Sequence, residues 1–215
     1  NYLRDPTLNI TTVEDPVEYR LAGINQIQVK SEINLDFGSC LRAILRQDPD
    51  IILIGEIRDK ETVEIAIKAA LTGHLVLSTF HTNDAPSAIS RLTYMGIEPY
   101  LLASTLNLIV AQRLVRKICD RCKEPLTLSP EILKRLQITP EQAKNAVFYH
   151  GKGCKTCGGT GFWGRLPVFE FLLIDHDIRE RIIAGASEME IRATARKKGS
   201  GGLLERGISK MLQGW

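Results

Sequence analysis

The chain has 215 residues, 44% hydrophobic and 25% charged. That is enough for one ordinary domain plus a small accessory, and it excludes a disordered or fibrous protein. The net charge of +3 is too small to announce nucleic-acid binding, and the long uncharged stretches are interrupted by Thr, His, Asn, Ser or Gln, which excludes a spanning helix.

The near-neutral total hides an asymmetry: residues 1–110 hold 9 Lys and Arg against 14 Asp and Glu, whereas 111–160 hold 10 against 4. No basic-then-apolar leader pattern opens the sequence, so no secretory signal is expected. Residues 10–13, Ile51–Ile54 and 75–80 are short apolar runs rich in β-branched residues, and the helical patterns between them predict α/β units on a mainly parallel sheet. Residues 17–30 hold two alternating segments around Ala22-Gly23, which predicts a hairpin beside that sheet. Cys40 shares the segment 39–47 with Leu41, Ile44 and Leu45 and reads as a packing residue.

Residues 59–72 predict a helix with Ile65, Ala66, Ala69 and Ala70 on one face, Asp59 at its start and Gly73 at its end. Pro86 suits the first turn of the next helix, and Gly96 stops it. Residues 99–118 read as a long apolar helix with arginines gathered at its C-terminal end. The character then changes: residues 119–164 carry two cysteine pairs and crowded glycines, the mark of a small inserted metal module. The tail predicts one strand over 166–174 and then short helices, one of them opened by the capping box of Ser187 and Glu190.

Three strand ends carry chemistry. In Arg46-Gln-Asp-Pro-Asp-Ile-Ile-Leu-Ile-Gly-Glu56-Ile-Arg-Asp59, four aliphatic residues lie between Asp50 and Glu56, and the C-terminal end of a parallel strand is where open α/β sheets bind ligands. A carboxylate there holds Mg²⁺ through water or orients an attacking water, and Gly55 lets the backbone pass close to a phosphate. The same pattern also describes a buried strand ending in a solvated acidic turn. Thr12-Val13-Glu14-Asp15-Pro16 is a second strand ending in acids. Gly73-His74-Leu-Val-Leu-Ser-Thr79-Phe-His81-Thr82-Asn83-Asp84 is a third, with His81 beside Thr79, Thr82 and Asn83, all suitable phosphate or water partners.

Cys119-x-x-Cys122 and Cys154-x-x-Cys157 form two chelating knuckles, and a closed Cys₄ zinc site with a structural role is the reading that spacing favours, a redox dithiol being the runner-up. Basic residues around these cysteines raise a nucleic-acid reading, but base-stacking aromatics are sparse there.

The order E-D-P-V-E-Y, R-Q-D-P-D-I-I-L-I-G-E-I-R-D, G-H-L-V-L-S-T-F-H-T-N-D-A, then Ala111-Gln-Arg-Leu-Val-Arg116 and the four cysteines, closely resembles the secretion ATPases of type II secretion and type IV pilus assembly. The resemblance runs over nearly the whole chain and implies a RecA-like α/β fold. It divides the sequence into part of an ATPase domain over 1–118, a tetracysteine zinc module over 119–164, and a C-terminal strand and helical tail over 165–215. It assigns Glu56 to the Walker B glutamate as general base or water-orienting residue, and Glu14 to the metal and its water shell. His81 becomes the principal His-box histidine near the γ-phosphate and His74 its weaker partner. Asp15, Asp50, Thr79 and Arg113 become further nucleotide-site candidates, and Phe80 stands where the family often has Leu.

The implied cofactors are ATP, Mg²⁺ and structural Zn²⁺. The implied partners are further copies in a homo-hexamer and the inner-membrane platform and adaptor proteins of a secretion or pilus machine, with no direct nucleic acid. The implied location is the cytoplasm, peripheral to the inner membrane. The family's phosphate-binding string G-x-x-x-x-G-K-[ST] does not occur in this sequence. The chain is therefore expected to be a C-terminal portion that is inactive alone, with a non-enzymatic, zinc-stabilised assembly module as the alternative.

Overall fold

In the computed structural model, which describes residues 2–215, the apolar runs of the first half become a parallel sheet. Its strands are β1 (Ile10–Glu14), β2 (Asn25–Gln28), β3 (Ile51–Ile54) and β4 (Leu75–Ser78), in the order β2-β1-β3-β4. Register is strict: Ile10 pairs with Ile51 and Ile51 with Leu75, while Val13 pairs with Ile54 and Ile54 with Ser78. Three strands therefore finish at one level, and the residues that follow them share one edge.

Helices α1 (Phe37–Ile44) and α2 (Lys60–Leu71) cover this sheet. Val13, Ile52 and Ile54 pack with Phe37, Cys40, Leu41 and Ile44 of α1 and with Ile65, Ala66 and Ala69 of α2 in one buried cluster. Cys40 is thus the packing residue its spacing predicts. Asp59 caps α2, its carboxylate accepting the Thr62 amide at 2.8 Å, and Gly73 follows the helix at φ +103°, a conformation glycine adopts without strain. Helix α3 (Ala85–Tyr94) has Pro86 in its first turn and Gly96 just past its end, as predicted.

Two sequence expectations are corrected. The hairpin over 17–30 does not form. Gln26 takes the Leu21 amide on its side-chain oxygen at 2.7 Å and donates to the Tyr19 carbonyl at 3.0 Å, so side-chain bonds take two backbone groups of the segment that would have been the first strand. Only β2 remains, and it runs parallel to β1.

The long helix over 99–118 is also absent. Helix α4 (Pro99–Thr105) stops at Leu106, which is extended at φ −74° and ψ 133°, and β5 (Leu108–Ile118) follows. Ile109, Val110, Val115 and Ile118 suit a strand, and the run is apolar in either reading, so hydrophobicity alone does not separate the two.

The chain forms two compact units, one reaching Leu108 and resuming over Leu173–Ile191, the other made of Ile109–Leu172 and Arg192–Trp215. Beyond the sheet, the first unit holds α3, α4 and α7 (His176–Ile183). The second pairs β5 with β8 (Phe162–Leu173) and β6 (Lys123–Leu126) with β7 (Phe148–Gly151), with the short helices α5 (Pro130–Arg135) and α6 (Pro140–Lys144) between β6 and β7. Helix α8 (Glu188–Lys197) is opened by the predicted capping box: the Ser187 amide donates to Glu190 Oε2 at 2.8 Å. Helix α9 (Leu203–Leu212) follows. Among the described residues no helix is long and apolar enough to cross a membrane.

Asp59→Ala removes an N-cap and is expected to cost about 1 kcal/mol of stability. Chemical denaturation checks this, and an unshifted midpoint would contradict the cap.

Candidate functional site

The edge where β1, β3 and β4 end gathers the acidic and histidine side chains. Gly55, directly after β3, donates its amide to the Val13 carbonyl at 2.7 Å. A Cβ there would lie 3.1 Å from that oxygen and 3.3 Å from Glu14 Cα, tighter than ordinary contact, so the bare glycine eases the close passage of the chain leaving β3 against the end of β1. This close passage brings the segment bearing Glu56 beside the one bearing Glu14.

Glu14 is oriented by two donors on one oxygen, the Thr12 hydroxyl at 2.6 Å and the Gln26 amide at 3.0 Å. Thr12 is buried, so the geometry of this carboxylate is fixed from within the sheet. Glu56 is held from two sides: Arg58 Nη2 donates to Oε1 at 2.6 Å, and His81 Nε2 lies 3.1 Å from Oε2. The Glu56 side chain is 16% exposed and that of His81 79% exposed, so the carboxylate is sheltered while the imidazole stands in solvent.

The Arg58 hydrogen bond is the main reason Glu56 titrates below the usual carboxylate range; burial opposes it and the His81 contact adds to it. The same contact, reinforced by the field of Asp15, raises Arg58. Thr79 ties β4 to this edge, its hydroxyl donating to the Gly55 carbonyl at 2.5 Å and its carbonyl accepting the Ile57 amide at 3.1 Å. Glu14, Asp15, Glu56, Thr79 and His81 thus belong to one edge.

Three other sequence candidates lie elsewhere. Asp50 precedes β3, at its opposite end, and accepts the Asn9 amide at 2.7 Å. His74 precedes β4, and its Nδ1 lies 2.9 Å from the Ala69 carbonyl and 3.0 Å from the Thr72 hydroxyl, where it finishes α2. Arg113 is on β5 in the second unit. Sequence reasoning passed over Arg58, although an extended i, i+2 spacing from Glu56 was a signal for it. It also passed over Arg91 on α3, which donates to the His81 carbonyl at 2.7 Å and has no local sequence signal.

The second unit carries the other candidate centre. Cys119, Cys122, Cys154 and Cys157 present sulfur atoms that all lie within 4.8 Å of one another. Sγ separations of 3.9 Å (Cys119 to Cys154), 3.9 Å (Cys122 to Cys157) and 3.7 Å (Cys154 to Cys157) match the edges of a tetrahedron with metal–sulfur bonds of about 2.3 Å. They are far from the S–S bond length of about 2.05 Å.

Burial works against ionisation of Cys157, but amide donors from Cys154 at 3.2 Å and Gly161 at 3.3 Å outweigh it and bring the thiol down to about 6. Burial pushes Cys122 up to about 12. Four thiols this close ionise together only when a cation shares them, so the donor set fits a closed metal site. Glycine makes the site possible: a Cβ on Gly161 would lie 2.4 Å from the Gly151 carbonyl oxygen, and one on Gly151 2.0 Å from that of Gly161. These two strand ends cross at backbone contact, which brings the second knuckle back to the first; the Cys119 amide donates to the Gly161 carbonyl at 3.0 Å.

Comparison with known proteins gives a consistent picture. The profile of the family described as "Type II/IV secretion system protein" matches residues 1–215. The chain is 51% identical over 209 residues to the type IV pilus assembly ATPase PilB of Thermus thermophilus, an alignment spanning 97% of this chain and 24% of that protein. It is 49% identical over 212 residues to type II secretion system protein E of Xanthomonas campestris, spanning 99% and 37%. Among solved structures, the pilus retraction motor PilT with bound ADP matches with a TM-score of 0.69 at 28% identity, over 96% of this chain and 49% of that one. The chain thus spans less than two fifths of these two curated relatives and about half of the PilT chain. The parallel α/β fold expected from the sequence is the fold of that retraction motor.

Because Arg58 lowers the Glu56 titration, Arg58→Ala is expected to raise its midpoint toward the ordinary glutamate value. The sign follows from the depressed folded value: this carboxylate's contribution to stability is fully present above the unfolded glutamate value and is lost as pH falls through the lower folded one. A ¹³C-carboxyl NMR titration reads the midpoint, and no movement in the variant would show that Arg58 is not the cause.

Proposed function

We propose that this chain, which belongs to the type II/IV secretion system protein family, supplies the carboxylate and histidine edge of a motor ATPase for pilus or pseudopilus assembly. The observation that carries the reading is the meeting of Glu14, Glu56 and His81 at the C-terminal edge of one parallel sheet, where nucleotide-binding α/β proteins bind their ligand. The names of its relatives support it, each being a pilus or secretion protein and several of them ATPases.

Bound Mg²⁺ and ATP would supply the electrophilic phosphorus and neutralise the phosphate charge. Glu14, already aimed by Thr12 and Gln26, would hold the metal through its water shell. Glu56 accepts from the attacking water. A carboxylate kept ionised by Arg58 is a weak base, so its main work would be to orient that water: as the water oxygen bonds to the terminal phosphorus, the bond to the bridging oxygen would break, ADP would leave, and the water's proton would pass to the released phosphate. His81, exposed and anchored on Glu56, would contact the terminal phosphate. Asp15 and Thr79 flank the same edge, whereas Asp50 and His74, which satisfy backbone and side-chain groups at the far ends of β3 and β4, are read as structural.

The phosphate-cradling string is absent from the sequence, so the cradle is assigned to another segment of the whole protein. Among the described residues β4 has a strand partner on one side only, and its Leu75 and Leu77 are 43% and 39% exposed. Parallel sheets are ordinarily covered on both faces, which supports a further segment of the whole protein packing over the exposed side chains of β4. The whole protein is read as a homo-oligomer, a hexamer by resemblance, at the cytoplasmic face of the inner membrane with platform and adaptor proteins. The four cysteines are assigned to one structural Zn²⁺ with no open position for water.

In the full-length protein, Glu56→Gln is expected to lower ATP turnover by about 10²-fold or more while nucleotide binding persists. Unchanged turnover would overturn the assignment. Metal analysis is expected to find one zinc per chain, with the cysteine unit losing its thermal transition on chelation. A metal-free protein, or a chelated one that melts unchanged, would contradict the zinc reading.

A further inference from the structure

We propose that Arg91 is a positioning residue that sets the reach of His81 to Glu56 through the loop backbone, using the Phe80 ring as its platform. The proposal rests on the reading of His81 and Glu56 as the nucleotide-facing pair. Its observations are four contacts of the loop between β4 and α3.

The two ends of that loop are fixed. Thr79 donates to the Gly55 carbonyl at 2.5 Å, and Asp84 caps α3 by accepting the Ser87 amide at 3.0 Å. His81 lies between, and its side chain is 79% exposed, so packing does little to hold it. Where a side chain is unpacked, its reach is set by the backbone that carries it. That backbone is tied by Arg91, whose Nη1 donates to the His81 carbonyl at 2.7 Å.

The same guanidinium lies over the Phe80 ring, with Cζ 5.1 Å from the centroid, within cation–π range. Only a planar guanidinium donates from its edge while its face rests on a ring; a lysine ammonium has no flat face to stack. Phe80 therefore gives Arg91 a surface that fixes its direction. Phe80, His81 and Arg91 act as one unit: ring below, guanidinium between, carbonyl at the tip. Arg91 touches neither Glu56 nor any reacting atom in this arrangement, and so it works through His81.

The test uses the full-length protein and reads hydrogen–deuterium exchange over residues 79–84 alongside steady-state ATP hydrolysis. Arg91→Ala is expected to speed exchange in that segment. It is also expected to lower kcat by about 10- to 100-fold, the scale of a misplaced catalytic group, while the KM for ATP and the melting temperature hold. Arg91→Lys keeps a donor and should recover part of kcat. Phe80→Leu leaves the carbonyl bond and should lower kcat only a few-fold.

Exchange unchanged in Arg91→Ala would overturn the proposal, and so would a rise in KM at constant kcat. Glu56→Gln in the same preparation separates the two ideas. If it abolishes turnover while Arg91→Ala does not lower kcat, the site reading stands and this proposal falls. If Glu56→Gln turns over normally, the site reading falls, and the exchange result alone decides whether Arg91 holds the loop.

Discussion

The in-register parallel pairing of β1, β3 and β4 is the constraint on which the candidate site depends. Each strand contributes only four or five residues, and a slip of one would carry every inward side chain to the other face. The buried cluster of Val13, Ile52 and Ile54 against α1 and α2 prevents that slip. Because the strands end together, Glu14, Glu56 and His81 come from segments far apart in sequence yet share one edge. Gly55 tightens the arrangement, since any side chain there would press on the end of β1.

At that edge the electrostatics and the geometry support each other. Glu56 is sheltered and would resist ionisation if left alone, but Arg58 and His81 each take one of its oxygens. The result is an ionised carboxylate with fixed direction, suited to holding water rather than storing a proton. The second unit solves a different problem by similar means. Four sulfurs converge because two glycine-bearing strand ends cross at backbone contact, and amides from Cys154 and Gly161 steady Cys157. In both places a glycine permits the close approach that polar groups or sulfurs then exploit.

Much of this was legible beforehand, for identifiable reasons. Ile51–Ile54 is too short and too β-branched for a helix, Asp59 and Pro86 mark helix starts by their own chemistry, and the cysteine spacing allows few alternatives. The failures are equally physical. Residues 108–118 are apolar in either period, so the choice of strand over helix comes from pairing with β8, which lies more than forty residues on in the chain. The expected hairpin is replaced by parallel pairing of β2 with β1, and the Gln26 side chain bonds two backbone groups that its first strand would have paired. Asp50 and His74 lie at the opposite strand ends from Glu56, a separation their motifs do not reveal, and backbone groups bond to them there. Arg91 was invisible because its partner is a carbonyl, and carbonyls leave no mark on a sequence.

The central claim is that the edge bearing Glu14 and Glu56 faces a metal–nucleotide complex. Crystals of the full-length protein grown with Mn²⁺ and a non-hydrolysable ATP analogue test it most directly, through the anomalous signal of the ion. The account predicts a manganese peak at the edge where β1 and β3 end, beside Glu14 and Glu56. A peak instead at the Asp50 and His74 end of the sheet, or nucleotide bound with no metal near either glutamate, would contradict it.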